Sequence, residues 1–153
     1  MNDATNRALS AYSRVDLETT VNSASPIQLV ILLYDGAIAA LAAAKGQMQQ
    51  NKFAEKGRLI TKAIDIIEGL RAVLDFKKGG EIAGNLNELY EYMKHRLTLS
   101  NLKNDPEGPS EVIRLLNELR SSWATLDERE RAAAVAEMAR ASKGQKEAAS
   151  VRA

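Results

Sequence analysis

The chain contains no cysteine, a single histidine and only three prolines among its 153 residues. Without cysteine there are no disulfides, no thiolate nucleophile and no thiolate metal ligand. One histidine cannot assemble a His₂ or His₃ metal site, and a histidine-dependent hydrolase also needs a positioned nucleophile and acid. We therefore expect no catalytic site, no metal and no cofactor, and hence a protein that is not an enzyme.

The charge pattern lacks a dominant sign. Lys and Arg number 21, Asp and Glu number 20, and the formal net charge is +1. Nucleic-acid binding depends on clustered cations that neutralise phosphates, and no such block occurs here. We expect no nucleic-acid partner.

Long apolar runs are also missing from the sequence. The polar stretch of residues 1–14 has no apolar signal core, and the longest uninterrupted run of large aliphatic residues covers residues 29–33. A membrane-spanning helix needs about 20 predominantly apolar residues. We expect a cytoplasmic protein that is not inserted into a membrane.

What the chain has in abundance is helix formers. Ala, Leu, Glu, Lys and Arg dominate, while aromatic residues make up only 5%. Apolar residues recur at three- and four-residue intervals in four segments, which is the pattern of amphipathic helices. Short connections between four helices predict an all-α, antiparallel four-helix bundle.

The ends of the predicted helices follow from local signals. Ser25, Pro26 and Gln28 form a helix start, with a capping box and a proline at the first helical position. The first helix extends to about Gln49, and residues 50–52 connect it to the second. Residues 77–80, with two lysines and two glycines, are predicted to end the second helix. The third helix ends near Lys103, and residues 104–109 are predicted to form a loop.

These signals divide the chain into three parts. Residues 1–24 are predicted to be an extended N-terminal arm, because they have no sustained helical period. Residues 25–126 form the bundle. Residues 127–153 are rich in alanine and charge but poor in large apolar side chains, so we expect a flexible or partly helical C-terminal tail.

The bundle has more apolar surface than one buried stripe per helix requires. On the first helix the extra residues are Ile27, Val30, Ile31 and Ile38. The second helix adds Leu59, Ile66 and Val73 beside its core face, and the fourth adds Ile113. These faces are either ordinary core of an enclosed helix, a surface for an amphipathic client helix, or an interface with a second copy.

The single histidine permits one alternative. His95 lies between Lys94 and Arg96 on a predicted helix, where it could accept a phosphoryl group as in four-helix phosphotransfer domains. It could equally be a surface histidine on the polar flank of the third helix. The phosphotransfer hypothesis explains only the fold and one residue, so we favour an interaction protein.

The order of several motifs resembles the flagellar export chaperone family FliS. They are Val21-Asn22-Ser23-Ala24-Ser25-Pro26, Gln28-Leu29, Leu33-Tyr34-Asp35-Gly36-Ala37, Lys62-Ala63-Ile64-Asp65-Ile66-Ile67, Leu89-Tyr90-Glu91-Tyr92-Met93 and Glu111-Val112 with Leu115-Leu116. The resemblance covers roughly residues 12–123. Two departures are the proline-rich stretch of residues 106–109 and Ser100, where the family often has alanine.

The resemblance implies a cytoplasmic chaperone that binds the disordered C-terminal segment of flagellin. It would prevent premature polymerisation and deliver flagellin to a component of the flagellar export gate; other flagellar regulators could share the surface. Our predicted flagellin groove consists of Leu59, Ile60, Ala63, Ile66, Ile67 and Val73 on the second helix and Ile113, Leu116 and Leu119 on the fourth. By resemblance, the N-terminal arm with Tyr12, Val15 and Val21 would lie against the bundle and shield this surface.

Overall fold

The structure, a computed structural model, describes residues 24–152, with side-chain burial up to residue 150. It contains four helices: α1 (Pro26–Gln49), α2 (Phe53–Ala72), α3 (Phe76–Lys103) and α4 (Glu107–Arg152). The predicted all-α four-helix bundle is therefore confirmed. The predicted N-terminal arm, with Tyr12, Val15 and Val21, lies outside the described residues.

Helix α1 begins with the predicted capping box. The main-chain N–H of Gln28 donates to Ser25 Oγ at 3.2 Å, and the N–H of Ser25 donates to Gln28 Oε1 at 3.1 Å. Pro26 occupies the first turn, where a missing N–H costs no intrahelical hydrogen bond. These contacts satisfy main-chain donors that have no partner within the helix.

The helices pack around one core in a square arrangement. Helix α1 packs against α2 and α4, and α3 packs against the same two helices, so α2 and α4 lie on a diagonal. The side chains with no exposed surface at the centre come from all four helices: Tyr34, Ala37, Leu41, Ala44, Ile60, Ala63, Ile67, Met93, Leu97, Val112 and Leu116. The small alanines of α1 allow close approach of its neighbours.

The additional apolar residues of helix α1 are partly covered by the rest of the bundle. Ile27, Val30, Ile31 and Ile38 are each partly buried, and Val30 and Ile38 pack against the core cluster. This helix has the length and hydropathy of a membrane span, with a mean hydropathy of 1.9. Within residues 24–152 it is the only such helix, and its fully buried side chains place it in the bundle core.

The connection between α2 and α3 differs from the prediction. Helix α2 ends at Ala72, and residues 77–80 belong to the start of α3 rather than to the end of α2. The carboxylate of Asp75 accepts hydrogen bonds from the N–H groups of Lys77 and Lys78 at 3.1 and 3.0 Å, which starts the new helix. Helical periodicity alone does not reveal this cap. Gly80, with φ 51° and ψ −121°, kinks α3 one turn later.

Helix α4 begins earlier than predicted and continues into the residues of the predicted tail. Residues 107–109 were assigned to a loop, but Pro109 falls in the first turn, where proline is tolerated. The N–H of Glu107 donates to Asp105 Oδ1 at 3.0 Å. Leu126 is the predicted end of the bundle, but the helix continues beyond it through Arg152. Residues 128–150 are all exposed.

Candidate functional site

Two buried tyrosines meet across the diagonal of the bundle. The hydroxyl groups of Tyr34 on α1 and Tyr90 on α3 are hydrogen-bonded to each other, and Trp123 Nε1 on α4 donates to Tyr34 Oη at 3.2 Å. Burial raises the pKa of both phenols, and that of Tyr90 rises strongly. The hydrogen bonds satisfy polar atoms that would otherwise be costly to bury. This network holds three helices together beneath an apolar groove.

An apolar groove opens at this end of the bundle, and we call it the end groove. Its volume is about 350 Å³. All four helices contribute to its lining: Val30 from α1, Leu70 from α2, Val73, Leu74 and Asp75 from the connection, Lys78, Gly79, Ile82, Ala83, Leu86 and Tyr90 from α3, and Trp123 from α4. A groove of this size and character can hold a bulky apolar side chain.

The rim of the end groove carries unusually exposed apolar side chains. Val73 is 64% exposed and Ile82 is 71% exposed, although both are large aliphatic residues. Asp75 and Lys78 provide one negative and one positive charge at the same rim. Apolar residues clustered at the mouth of an apolar groove indicate a surface for another molecule.

A second groove lies between α1 and α4. It is lined by Ala24, Gln28, Ile31, Leu32, Arg120, Ala124, Asp127, Glu128 and Arg131. Beside it, Arg120 Nε donates to Asp35 Oδ1 at 2.5 Å, and Asp35 raises the pKa of the Arg120 guanidinium. This groove is more polar than the end groove and lies where the described part of the chain begins.

A third, shallower groove follows the seam between α1 and α2. It is lined by Leu33, Arg58, Thr61, Lys62, Asp65, Ile66 and Gly69. A Cβ added to Gly36 would lie 3.4 Å from Ile66 Cδ1, so glycine allows α1 to approach this side chain closely. Ile66 thus supplies part of the floor of this groove.

Comparison with known proteins identifies the fold's relatives. The sequence model described as "FliS: Flagellar protein FliS" matches residues 8–130, which is most of the chain. The chain belongs to the FliS family. The matched region includes the whole end groove and the Tyr34–Tyr90–Trp123 network, whereas residues 131–153, at the end of α4, lie beyond it.

Three curated FliS relatives share 40–47% of the aligned positions with this chain. A flagellar secretion chaperone from Pseudomonas aeruginosa, FliSB, is 47% identical over 117 residues, which cover 76% of this chain and 93% of that protein. The FliS chaperone of Salmonella typhimurium is 47% identical over 116 residues, 75% of this chain and 86% of that protein. The corresponding Vibrio cholerae protein is 40% identical over 116 residues, with 76% and 85% coverage.

The nine residues predicted to line a FliS client groove fall into two groups. Five are buried in the core and present almost no surface: Leu59, Ile60, Ala63, Ile67 and Leu116. The other four reach the surface to differing extents: Ile66, Val73, Ile113 and Leu119. Because α2 and α4 lie on a diagonal, the structure does not bring these two helices together along one groove. Client contact by these residues stays a prediction.

The accessible residues of that set lie at different places. Val73 lines the end groove and Ile66 lines the α1–α2 groove, while Ile113 and Leu119 pack against the core from α4. The predicted groove omits Ile82, Leu86 and Trp123, because each continues a core-facing stripe. The unusual glycine pair at positions 79 and 80 was the available signal that α3 is interrupted beside them.

The remaining candidates for chemistry do not form a site in the described residues. His95 is exposed on α3. Within residues 24–152, no group of three or more His, Asp or Glu side chains is placed to hold a metal ion. The FliS relatives are named flagellar secretion chaperones. The apolar grooves are the surface features that can receive side chains of another molecule.

Proposed function

We propose that this protein is a cytoplasmic export chaperone that binds the disordered C-terminal segment of flagellin. Membership of the FliS family supports the chaperone role, since its curated relatives are named flagellar secretion chaperones. In this proposal the bound segment is kept from polymerising and is presented to a component of the flagellar export gate. No covalent chemistry is needed.

The observation that carries the proposal is the end groove with its exposed apolar rim. A disordered client loses conformational entropy when it folds onto its chaperone, so it must bury a large apolar area to bind. The end groove supplies such an area beside Val73 and Ile82, which are exposed in the absence of a partner. We infer that an amphipathic client helix inserts one of its apolar side chains here.

The proposed client also explains why the site has few charges. Among the residues that line the end groove, only Asp75 and Lys78 are charged. Apolar burial is non-directional and lets related segments bind without a fixed hydrogen-bond pattern. Such contacts suit a chaperone that must later release its client.

Calorimetric titration with the last few dozen residues of flagellin from the same organism tests this function. We expect one-to-one binding with a negative heat-capacity change, while a scrambled peptide should not bind. Ile82→Glu should abolish binding, because it places a charge at the groove mouth. Leu102→Glu is the matched control, since Leu102 is 82% exposed near the opposite end of the same helix and outside the groove.

The outcomes separate the competing explanations. Equal affinity of both glutamate variants would remove the end groove from the client site, and the predicted contacts Ile66 and Ile113 would then be tested by the same substitution. No binding of the natural peptide would contradict the flagellin assignment. In that case, light scattering at several protein concentrations would show whether a second copy of the chain covers the apolar rim.

A further inference from the structure

Helix α3 is interrupted at a residue whose conformation is specific to glycine. Gly80 has φ 51° and ψ −121°, whereas the flanking segments, residues 76–79 and 81–103, are helical. A side chain at this φ and ψ would clash with the neighbouring main chain, so other residues avoid the region. Residues 76–79 therefore form a separate turn at the start of α3.

The residue before the kink must also be glycine in this conformation. A Cβ added to Gly79 would lie 2.8 Å from Ala83 Cβ, which is closer than two carbon atoms can pack. By contrast, a Cβ added to Gly84, one turn further along α3, would meet no atom within 4 Å. Two consecutive glycines thus permit the kink, and the nearby Gly84 is not needed for it.

The kink removes Phe76 from the core-facing register of α3. Ala83, Tyr90 and Leu97 lie seven residues apart, and none is more than 3% exposed. Phe76 stands seven residues before Ala83, and seven residues are close to two helical turns. In an uninterrupted α3, Phe76 would continue this buried stripe. In the kinked helix it is 53% exposed instead.

The end groove lies where that stripe would continue. Ala83 and Tyr90 line it, as do Gly79 and Leu86 on the same helix. Straightening α3 at Gly80 would therefore carry the Phe76 ring toward the groove. The groove is apolar and has a volume of about 350 Å³, which is enough space for an aromatic side chain.

We propose that α3 has two states, a kinked state in which the end groove is open and a straight state in which Phe76 occupies it. The kinked state exposes Phe76 but leaves the end groove beside Ile82 and Leu86 open to a partner. The straight state buries Phe76 and lets Gly80 adopt helical angles. Since neither state has all the favourable contacts, a partner can shift the balance between them.

The second half of the proposal rests on the proposed function. If the end groove receives a client side chain, that side chain competes with Phe76 for the same space. The preferred client anchor is then an aromatic or large aliphatic residue on a helix, because the residue it displaces is a phenylalanine on a helix. A client that binds the kinked state shifts the population toward that state.

Gly80→Ala tests the two-state helix without any client. Alanine disfavours the left-handed angles of the kink, which should shift the equilibrium toward the straight state by about tenfold. Trp123, the only tryptophan in the sequence, lines the end groove and reports on its occupancy. We expect weaker acrylamide quenching of Trp123 and new nuclear Overhauser contacts between the Phe76 ring and the Trp123 indole, since both would then lie in the end groove.

Two further variants control this experiment. Gly84→Ala makes the same chemical change on the same helix at a position with open space, and it should leave Trp123 quenching unchanged. Adding Phe76→Ala to Gly80→Ala should restore quenching, because the straight helix then has no ring to place in the groove. A Gly80→Ala variant with unchanged quenching and no Phe76–Trp123 contact would overturn the proposal.

Client titration then separates this inference from the proposed function. Gly80→Ala should weaken flagellin-segment binding by up to about tenfold, and the Phe76→Ala, Gly80→Ala double variant should recover it. Closure of the groove without loss of affinity would support the two-state helix but overturn competition with a client. Loss of affinity that Phe76→Ala does not reverse would also overturn competition, since the ring would not be the cause.

Discussion

Lys56 on α2 donates a hydrogen bond from Nζ to the main-chain oxygen of Asn101 on α3, at 2.8 Å. Lys56 is only 5% exposed, and its Nζ lies 5.0 Å from the centre of the Phe53 ring. The last carbonyl groups of a helix lack intrahelical partners and carry partial negative charge. The buried Lys56 ammonium group therefore links the start of α2 to the end of α3 through this hydrogen bond.

Replacing Lys56 with alanine should destabilise the bundle. The substitution removes the cation from the Asn101 carbonyl and the buried aliphatic stem, and we expect a loss of about 1–3 kcal/mol. Urea unfolding followed by circular dichroism measures the loss. Lys62→Ala is the control, because Lys62 is exposed on the same helix. Equal shifts in the two variants would contradict the role assigned to Lys56.

The buried tyrosines predict a loss of stability at alkaline pH. Burial raises the pKa of Tyr34 and Tyr90 above the ordinary value of 10.0, so the unfolded chain ionises first. The contribution of the two tyrosines to stability is fully present below pH 10. Above pH 10 the free energy of unfolding should fall by about 1.4 kcal/mol per pH unit for each tyrosine. Urea titrations above pH 10 should show a shallower fall in Tyr90→Phe. The same slope as in the natural protein would argue against this cause.

Glu68 is expected to stabilise the fold at neutral pH and to lose this contribution in acid. Hydrogen bonds from Arg71 and Lys94 lower the pKa of its carboxyl from 4.5 to about 2. A lowered pKa stabilises the fold above pH 4.5, and this contribution is lost as the pH falls toward 2. Melting temperatures of the natural protein and Glu68→Gln should therefore converge in that interval. A constant difference across it would show that ionisation of Glu68 is not responsible.

Glycine at position 108 permits the close contact between α3 and α4, because a side chain there would clash with Ser100. An added Cβ would lie 1.5 Å from Ser100 Oγ and 2.5 Å from Ser100 Cβ. We expect Gly108→Ala to cost about 1–3 kcal/mol through overpacking. Thermal unfolding measures this cost, and Ser100→Gly in the same chain should recover part of it.

The control for Gly108 is another helical glycine. A Cβ added to Gly46 on α1 meets nothing within 4 Å, so Gly46→Ala should stabilise the protein by up to about 1 kcal/mol. If both alanine variants were equally stable, the close approach of Gly108 to Ser100 would not constrain the bundle. The tight contact also gives a physical role to Ser100, one of the two departures from the family pattern.

Local signals in the sequence were sufficient for the helices but not for all their ends. Ser25 and Gln28 are three residues apart, so their capping box can be recognised without knowing the tertiary structure. The start of α4 was misplaced because prolines in a first helical turn resemble those of a loop. The kink at Gly80 was missed for a related reason, since paired glycines commonly end a helix rather than bend it.

The site was harder to predict because it depends on how helices are arranged around one another. Periodicity identifies an apolar stripe, but it does not tell which part of that stripe reaches the surface. Ile67 and Val73 both belonged to the predicted groove, yet the first has no exposed surface and the second is 64% exposed. The difference arises because α2 ends at Ala72, so Val73 lies just beyond its packed length.

The length of α4 determines where labels can be attached to this protein. At about 1.5 Å per residue, position 152 lies roughly 30 Å along the helix from Arg131, which borders the α1–α4 groove. A fluorophore or affinity handle at position 152 would therefore be held away from all three grooves. Attachment near Ala24 would instead place it directly at the α1–α4 groove. The choice between these two attachment positions decides whether surface immobilisation obstructs the α1–α4 groove.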